Sequence, residues 1–241
     1  STYYFQLGNT PQLSILELEH LVAGKLQPIS SQLRSLDTDE KIDINQLQRQ
    51  SGGLVKTYKK LSELETKLIN EVESKVTEHL SQQTGKVIFS VTNLSNVNLP
   101  KADLAVIKKQ LTTLGIKSRY LDSGKQGLTA AVLTHQKVHE LVIIEDDEKL
   151  ILAKTISIQD IDDWTKRDRY KPYADGKKGM LPPKVARVMV NIAKDISKPK
   201  LDLKIHDPFC GSGTILMEAL MMGCDVSGSD IDLDAVRGTQ D

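Results

Sequence analysis

"HDPFCGSGTILMEA", residues 206–219, reads as the end of a strand, a glycine turn and the first turns of a helix. Such a turn sets main-chain N–H groups and a helix N-terminus against nucleotide-like ligands. A triphosphate loop requires a Lys-Ser/Thr pair after its last glycine, and Thr214 and Ile215 stand there instead. A dinucleotide fingerprint requires a third glycine where Leu216 stands, and leucine blocks close packing against a pyrophosphate. The loop also opens on Asp207. A carboxylate there repels phosphate but accepts hydrogen bonds from an ammonium group.

S-Adenosylmethionine suits that pattern. Its methionine half carries an amino group and a sulfonium, and its ribose hydroxyls suit a second carboxylate. Asp230, within the next strand-like run "DVSGSDID", lies about twenty residues on, the distance a strand–helix–strand unit gives. Gly211 and Gly213 let the main chain approach the ligand closely. The competing reading is a plain strand–helix turn in which Asp207 caps the helix.

Working outward, "PKVARVMVNIAKDI" predicts a helix from Pro183, "LKIHDPF" a strand, "GTILMEALMMG" a helix and "DVSGSDID" a strand. That order opens a doubly wound, Rossmann-like sheet. Before it, "DIDDWTKRDRYKPYADGKKGMLPP" is polar, basic and proline-bearing, and predicts an extended connector. The first sixty or so residues alternate short strands and helices, ending at Gly52-Gly53 and "LVKTYKK", and predict a small sheet with helices on one side. Leu61, Leu64, Leu68, Val72, Val76 and Leu80 then fall at three- and four-residue steps and predict one long amphipathic helix. "LVIIED" and "KLILAKTISI" predict paired strands across the acidic turn "DDEK". The expected fold class is α/β throughout.

Composition narrows the function classes. Apolar residues make up 39% and charged residues 27%, with Lys plus Arg and Asp plus Glu equal at 32 each. Net charge therefore implies no polyanionic partner, but its distribution does. Residues 166–204 hold twelve Lys/Arg against four Asp/Glu, and residues 205–241 hold one against seven. Such a basic collar before an acidic segment marks a nucleic-acid-facing surface or a solvated linker. Cys210 and Cys224 fit neither a zinc pattern nor a disulfide framework, so no metal is expected and a reduced, cytoplasmic setting is. No apolar run approaches the roughly 20 residues of a membrane span.

"DPFCGSGTILMEA" followed by "GSDID" resembles the first two cofactor motifs of the Rossmann-like methyltransferases that modify exocyclic amino groups. "KRDRYKPYADGKKGMLPPKVARVMVNIA" resembles the segment before them in the THUMP-containing tRNA guanine-N2 methyltransferases, and "SGGLVKT", "SRYLDSGKQGLTAAVLTHQKV" and "AKTISIQDIDDW" are similar to the family's earlier pieces in the right order. The resemblance implies an N-terminal ferredoxin-like domain over 1–61 and a THUMP-like RNA-binding domain over 62–159. A basic connector and an incomplete S-adenosylmethionine-dependent methyltransferase domain would then fill 160–241. It implies that Asp207, Pro208, Phe209, Cys210, Gly211, Ser212 and Gly213 line the cofactor's methionine side. Asp230 would hold the ribose, Ile231 would pack beside the adenine, and Met180, Leu181, Pro182 and Pro183 would fold over the pocket. Arg167 and Asp168 would fix the connector. The implied partner is tRNA, contacted through its phosphates by Lys166, Arg167, Arg169, Lys171, Lys177 and Lys178.

Trp164 and Tyr170 are expected to pin the connector, His206 to be a packed, hydrogen-bonded strand residue, Cys210 a small pocket-lining residue, and Met217, Met221 and Met222 core filler. One departure bears on the chemistry. The family's Asp/Asn-Pro-Pro-aromatic motif, which accepts hydrogen bonds from the guanine amino group and stacks on the base, has no counterpart in the sequence, and "MLPPK" lacks both flanking residue types. No catalytic residue is therefore assigned. Three functions stay open: methylation of a guanine N2 in tRNA, an RNA-binding module without catalysis, and a DNA adenine-N6 methyltransferase.

Overall fold

The computed structural model describes residues 1–65, 69–98, 102–124, 127–170, 179–194 and 203–240. The chain forms two compact units that interleave in sequence. Ser1–Phe5, Pro28–Asp39 and Lys56–Ile158 make the first, and Gln6–Gln27, Glu40–Val55 and Gln159–Asp241 the second. The first sixty-one residues are shared, with most strand residues in one unit and the helices in the other. The largest segment of the first unit runs from Lys56 to Ile158.

The elements up to residue 158 are β1 (Thr2–Leu7), α1 (Pro11–Leu21), β2 (Gln27–Ser30), β3 (Leu33–Asp37), α2 (Ile44–Gln50), β4 (Leu54–Leu64), α3 (Ile69–Ser81), β5 (Val87–Asn93), α4 (Leu104–Thr113), β6 (Ser118–Tyr120), α5 (Ala130–Gln136), β7 (His139–Asp146) and β8 (Lys149–Ile158). The strands form one sheet in the order β2-β3-β1-β4-β8-β7-β5-β6. β8 is antiparallel to both β4 and β7, while β5 runs parallel to β7 and β6. The apolar run on β7 is continuous because both faces are covered. Leu141 and Ile143 join Val72, Val76 and Leu80 of α3 and Ile107 and Leu111 of α4 on one face. Val142 and Ile144 meet Tyr4, Tyr58 and Ile151 on the other. Tyr4 also donates to Asp146 at 2.9 Å, and burial together with that bond pushes its phenol well up.

Of the long helix expected from Leu61, Val72, Val76 and Leu80 lie on α3, Leu68 lies outside the described residues, and Leu61 and Leu64 are not helical. Leu61 and Leu64 belong to β4, which pairs with β8 as far as Leu64↔Leu150 and shifts register between Thr57/Tyr58 and between Lys60/Ser62. A bulge adds one residue and so turns the two-residue spacing of one sheet face into three. Leu61 and Leu64 thereby reach the same core as Val72 and Val76 and imitate helical periodicity.

After residue 158 come α6 (Ile161–Arg169), α7 (Pro183–Ala193), β9 (Lys204–Asp207), α8 (Thr214–Met221), β10 (Asp225–Gly228) and α9 (Leu233–Gln240). The start of the supposed connector is thus a helix. Asp160 caps it by accepting the Asp163 N–H at 3.0 Å. Asp162 and Asp163 lie in its first turn, and Lys166, Arg167 and Arg169 in its last. Acids at the start and bases at the end both oppose the helix dipole favourably. Trp164 is buried, but Tyr170 is 77% exposed, so only the tryptophan pins this segment. No helix among the described residues is long and apolar enough to cross a membrane.

The β7–β8 hairpin turns at Asp147 and Glu148 with φ of 48° and 63°. Left-handed backbone at both central positions is the primed-turn geometry that favours Asn-Gly. The double substitution Asp147→Asn, Glu148→Gly should raise stability by about 0.5–1 kcal/mol and Glu148→Val should lower it, as read by thermal denaturation.

Candidate functional site

In the second unit β9 and β10 pair in parallel, with Lys204↔Asp225 at one end and Asp207↔Gly228 at the other. α8 connects them and packs with Val190 of α7 over Ala219 and Cys224. The loop from Asp207 to Gly213 therefore lies at the carboxyl end of β9, where open α/β sheets place ligands.

Hydrogen bonds from both strand ends shape this loop. Asp207 Oδ1 accepts the Phe209 N–H at 3.0 Å. The Cys210 N–H donates to the Ser229 carbonyl, and the Ser229 N–H to that of Asp207, both at 2.9 Å. Asp230 holds the tip: Oδ2 accepts the Gly211 N–H at 2.8 Å, and Oδ1 accepts the Asp232 N–H at 2.9 Å. The Thr239 hydroxyl donates to the Gly211 carbonyl at 2.8 Å.

Glycine serves two separate needs here. Gly213 precedes α8 with φ of 71°, and a Cβ on it would come within 2.5 Å of Thr239 Cγ2. Its space is thus taken by the protein itself rather than by a ligand. Gly228, on β10, is the glycine of close approach: a Cβ there would lie 2.6 Å from Leu216 Cδ1 and 2.9 Å from Cys210 Cβ. Gly211 differs from both, since a Cβ on it would meet nothing within 4 Å. Its open side is flanked in sequence by Phe209, 85% exposed, while Ile231, beside Asp230, is fully exposed. An open main-chain face with a carboxylate at each strand end and exposed apolar side chains fits a cationic nucleoside.

Cys210 is buried, and burial, Asp230 and Asp207, in that order, push its thiol up. Its thiol is thereby favoured in the neutral form. His206 is exposed, and its Nδ1 lies 2.9 Å from the Ser227 hydroxyl across the β9–β10 pair, so it is hydrogen-bonded as expected but not buried. Met221 is 55% exposed and does not fill core, whereas Met222 packs against the β9–β10 cluster. Met180 to Pro183 form the lead-in and first turn of α7, with Met180 and Leu181 half-buried and Pro183 buried.

Of the basic residues singled out for phosphate contact, Lys166 and Arg169 are exposed near the end of α6, whereas Lys171, Lys177 and Lys178 lie outside the described residues. Arg167 leaves that set. Its guanidinium stacks 3.6 Å from the Trp164 ring and donates to Glu218 at 2.8 and 3.0 Å, with Asp163 bonded on its other side. Arg187 donates to the same Glu218 carboxylate from Nε at 2.7 Å. Glu218 is fully buried, so one carboxylate on α8 joins guanidiniums from α6 and α7.

A second buried carboxylate, Glu17 of α1, accepts from Ser51 Oγ, the Gly52 and Gly53 N–H groups and Asn191 of α7 at 2.6–2.8 Å. Sequence reasoning passed over all four of Glu17, Arg187, Asn191 and Glu218. The readable signal was a lone polar group on an otherwise apolar helix, as in "VARVMV" and "ILMEALMM".

Removing Glu218 leaves two buried guanidiniums without their shared counter-charge. Glu218→Ala should therefore cost about 3–5 kcal/mol in denaturant unfolding of the second unit. Gly228→Ala should cost about 1–3 kcal/mol by overpacking and shift the amide resonances of Cys210 and Gly211.

Residues 169–238 match the family described as UPF0020, RMKL-like, methyltransferase domain. A tRNA (guanine(10)-N2)-dimethyltransferase of Methanothermobacter thermautotrophicus is 49% identical over 63 residues, which are 26% of this chain and 18% of that protein. One from Pyrococcus abyssi is 43% identical over 60 residues, 25% of this chain and 16% of the relative. The matched segments thus span less than a fifth of either relative. Among solved structures, SMU.472, described as a methyltransferase in complex with SAH, aligns over 99% of this chain and 70% of its own at 13% identity and a TM-score of 0.45, too low to add to the assignment. Sequence match and loop fall on one segment: residues 169–238 are similar to the methyltransferase domain of the UPF0020, RMKL-like family.

Proposed function

We propose that the protein methylates the exocyclic N2 amino group of a guanine in tRNA, with S-adenosylmethionine as methyl donor. The observation that carries this reading is the Gly211 tip held by Asp230 beside Asp207, inside the segment that matches the methyltransferase family. The guanine-N2 assignment is supported by the names of the relatives that share this segment.

When bound, the cofactor supplies an electrophilic methyl group on a sulfonium. The chain's part is placement. Asp207 faces the ammonium end, the main chain from Pro208 to Gly213 lines the methionine half, Asp230 receives ribose hydroxyls, and Ile231 covers the adenine. Met180, Leu181, Pro182 and Pro183 close the pocket from the α7 side. A guanine amino group is a poor nucleophile, so rate comes from holding it in line with the methyl group. Reaching the pocket requires the base to leave its stack. The first unit, taken as a THUMP-like RNA-binding domain, would hold the tRNA, with Lys166, Arg169, Lys171, Lys177 and Lys178 on phosphates.

The second reading is an RNA-binding module without catalysis, favoured by the exposed Lys166 and Arg169 near the end of α6. Incubation with S-adenosylmethionine and an unmodified tRNA transcript, followed by nucleoside mass spectrometry, separates the two. N2-methylguanosine is the expected product. Tight tRNA binding with no methylated nucleoside supports the second reading. Methylation of a DNA duplex at adenine, in preference to tRNA, contradicts both. The affinity for tRNA should fall with salt, and Lys166→Gln should reduce the slope of log K against log[salt] by about 1.

A further inference from the structure

Three basic side chains of the first unit converge on one cavity. His79 comes from the last turn of α3, His139 from the first residue of β7 and Lys154 from β8, and Gln83, just past α3, completes the rim. The cavity measures about 170 Å3, well above the roughly 10–15 Å3 that one water needs. All four side chains are half-buried. Among the described residues, neither imidazole and not the Lys154 ammonium has a hydrogen-bond or ion-pair partner.

The remaining ionisable group of the lining is Glu140. Its carboxylate is committed elsewhere. It binds Lys56 Nζ at 2.9 and 3.0 Å, the Thr155 hydroxyl at 2.6 Å and the Leu128 N–H at 3.2 Å. Lys56 is itself buried, so the Glu140 charge is cancelled at short range before it reaches the cavity. Besides Glu140 and Thr155, which are bonded to each other, the polar lining is an ammonium, two imidazoles and an amide, all able to donate hydrogen bonds.

We propose that this cavity is a binding site for a tetrahedral oxyanion of the phosphate type, held by Lys154, His79 and His139 with Gln83 as a further donor. The anion is either a phosphodiester of RNA or a free phosphate, and the two share this chemistry. The inference stands apart from the methyl-transfer reading, because every residue in it belongs to the first unit.

Proton linkage follows from the neighbours. Burial first and then Lys154 hold both imidazoles below the ordinary histidine range, and His139 adds to this at His79. Without an anion the rings are neutral at pH 7. An anion between them favours the imidazolium form, so binding takes up protons and tightens as pH falls below about 6.5.

The experiment is imidazole-selective NMR of the whole chain titrated with sodium sulfate, which stays dianionic from pH 7.5 to 5.5, at constant ionic strength. His79 and His139 should shift together and saturably while His20 and His206 stay still, with sulfate bound at least tenfold more tightly at pH 5.5. Lys154→Gln should weaken sulfate at least tenfold. Should that variant lose its fold by circular dichroism, His79→Gln takes its place with the same expectation. An unmodified tRNA that moves the same two resonances and is displaced by sulfate identifies an RNA phosphate. Sulfate binding that tRNA leaves untouched identifies a free anion. Histidine resonances indifferent to both, or a folded variant that binds sulfate like the wild type, overturn the proposal.

Discussion

A single charge-assisted bond, from the Gly211 N–H to the Asp230 carboxylate, sets the shape of the loop on which the functional reading rests. It ties the turn after β9 to the end of β10, so the two neighbouring strands close on one point. The same carboxylate takes the Asp232 N–H and so also fixes the approach to α9. Hydrogen bonds to an ionised acceptor contribute roughly 1.5–3 kcal/mol. The consequence for a ligand is preorganisation: an open main-chain face is held in place before anything binds, and ordering it adds little to the cost of binding.

Around that loop the second unit carries two buried carboxylates. Glu218 gathers Arg167 and Arg187, and Glu17 gathers the Ser51-Gly52-Gly53 turn and Asn191. Burying ions is expensive unless every lone pair is met, and such clusters are weak sources of net stability. Their effect is geometric. Each fixes how three chain segments meet, and a Cβ on Gly52 would run into the Lys184 carbonyl at one of these meetings. α8, which starts at the ligand loop, is thereby anchored to α6 and α7 by directional bonds that a purely apolar contact would not give.

Legibility in the sequence followed the range of the interactions. The strand–turn–helix–strand at the glycine loop was readable because its determinants are local: Asp207, Gly211, Gly213 and Asp230 lie within one short supersecondary unit. The β7–β8 hairpin was readable for the same reason. The helix expected from Leu61 was not, because a bulge at Leu61 of β4 gave strand residues a helical spacing. The partner of Arg167 was hidden by its neighbours, for nothing local in a run of cations points to Glu218, fifty-one residues later. The interleaving of the two units depends on which partners β1 to β4 and α1 find far along the chain, and no local pattern carries that information.

The most direct test of the central claim is an amide chemical-shift titration with S-adenosylhomocysteine, comparing the wild type with Asp230→Ala. The account predicts saturable shifts at Gly211, Ser212 and Asp232 in the wild type, and affinity at least tenfold weaker in the variant. Binding that leaves those three amides unmoved, or that survives the loss of Asp230 undiminished, would contradict it.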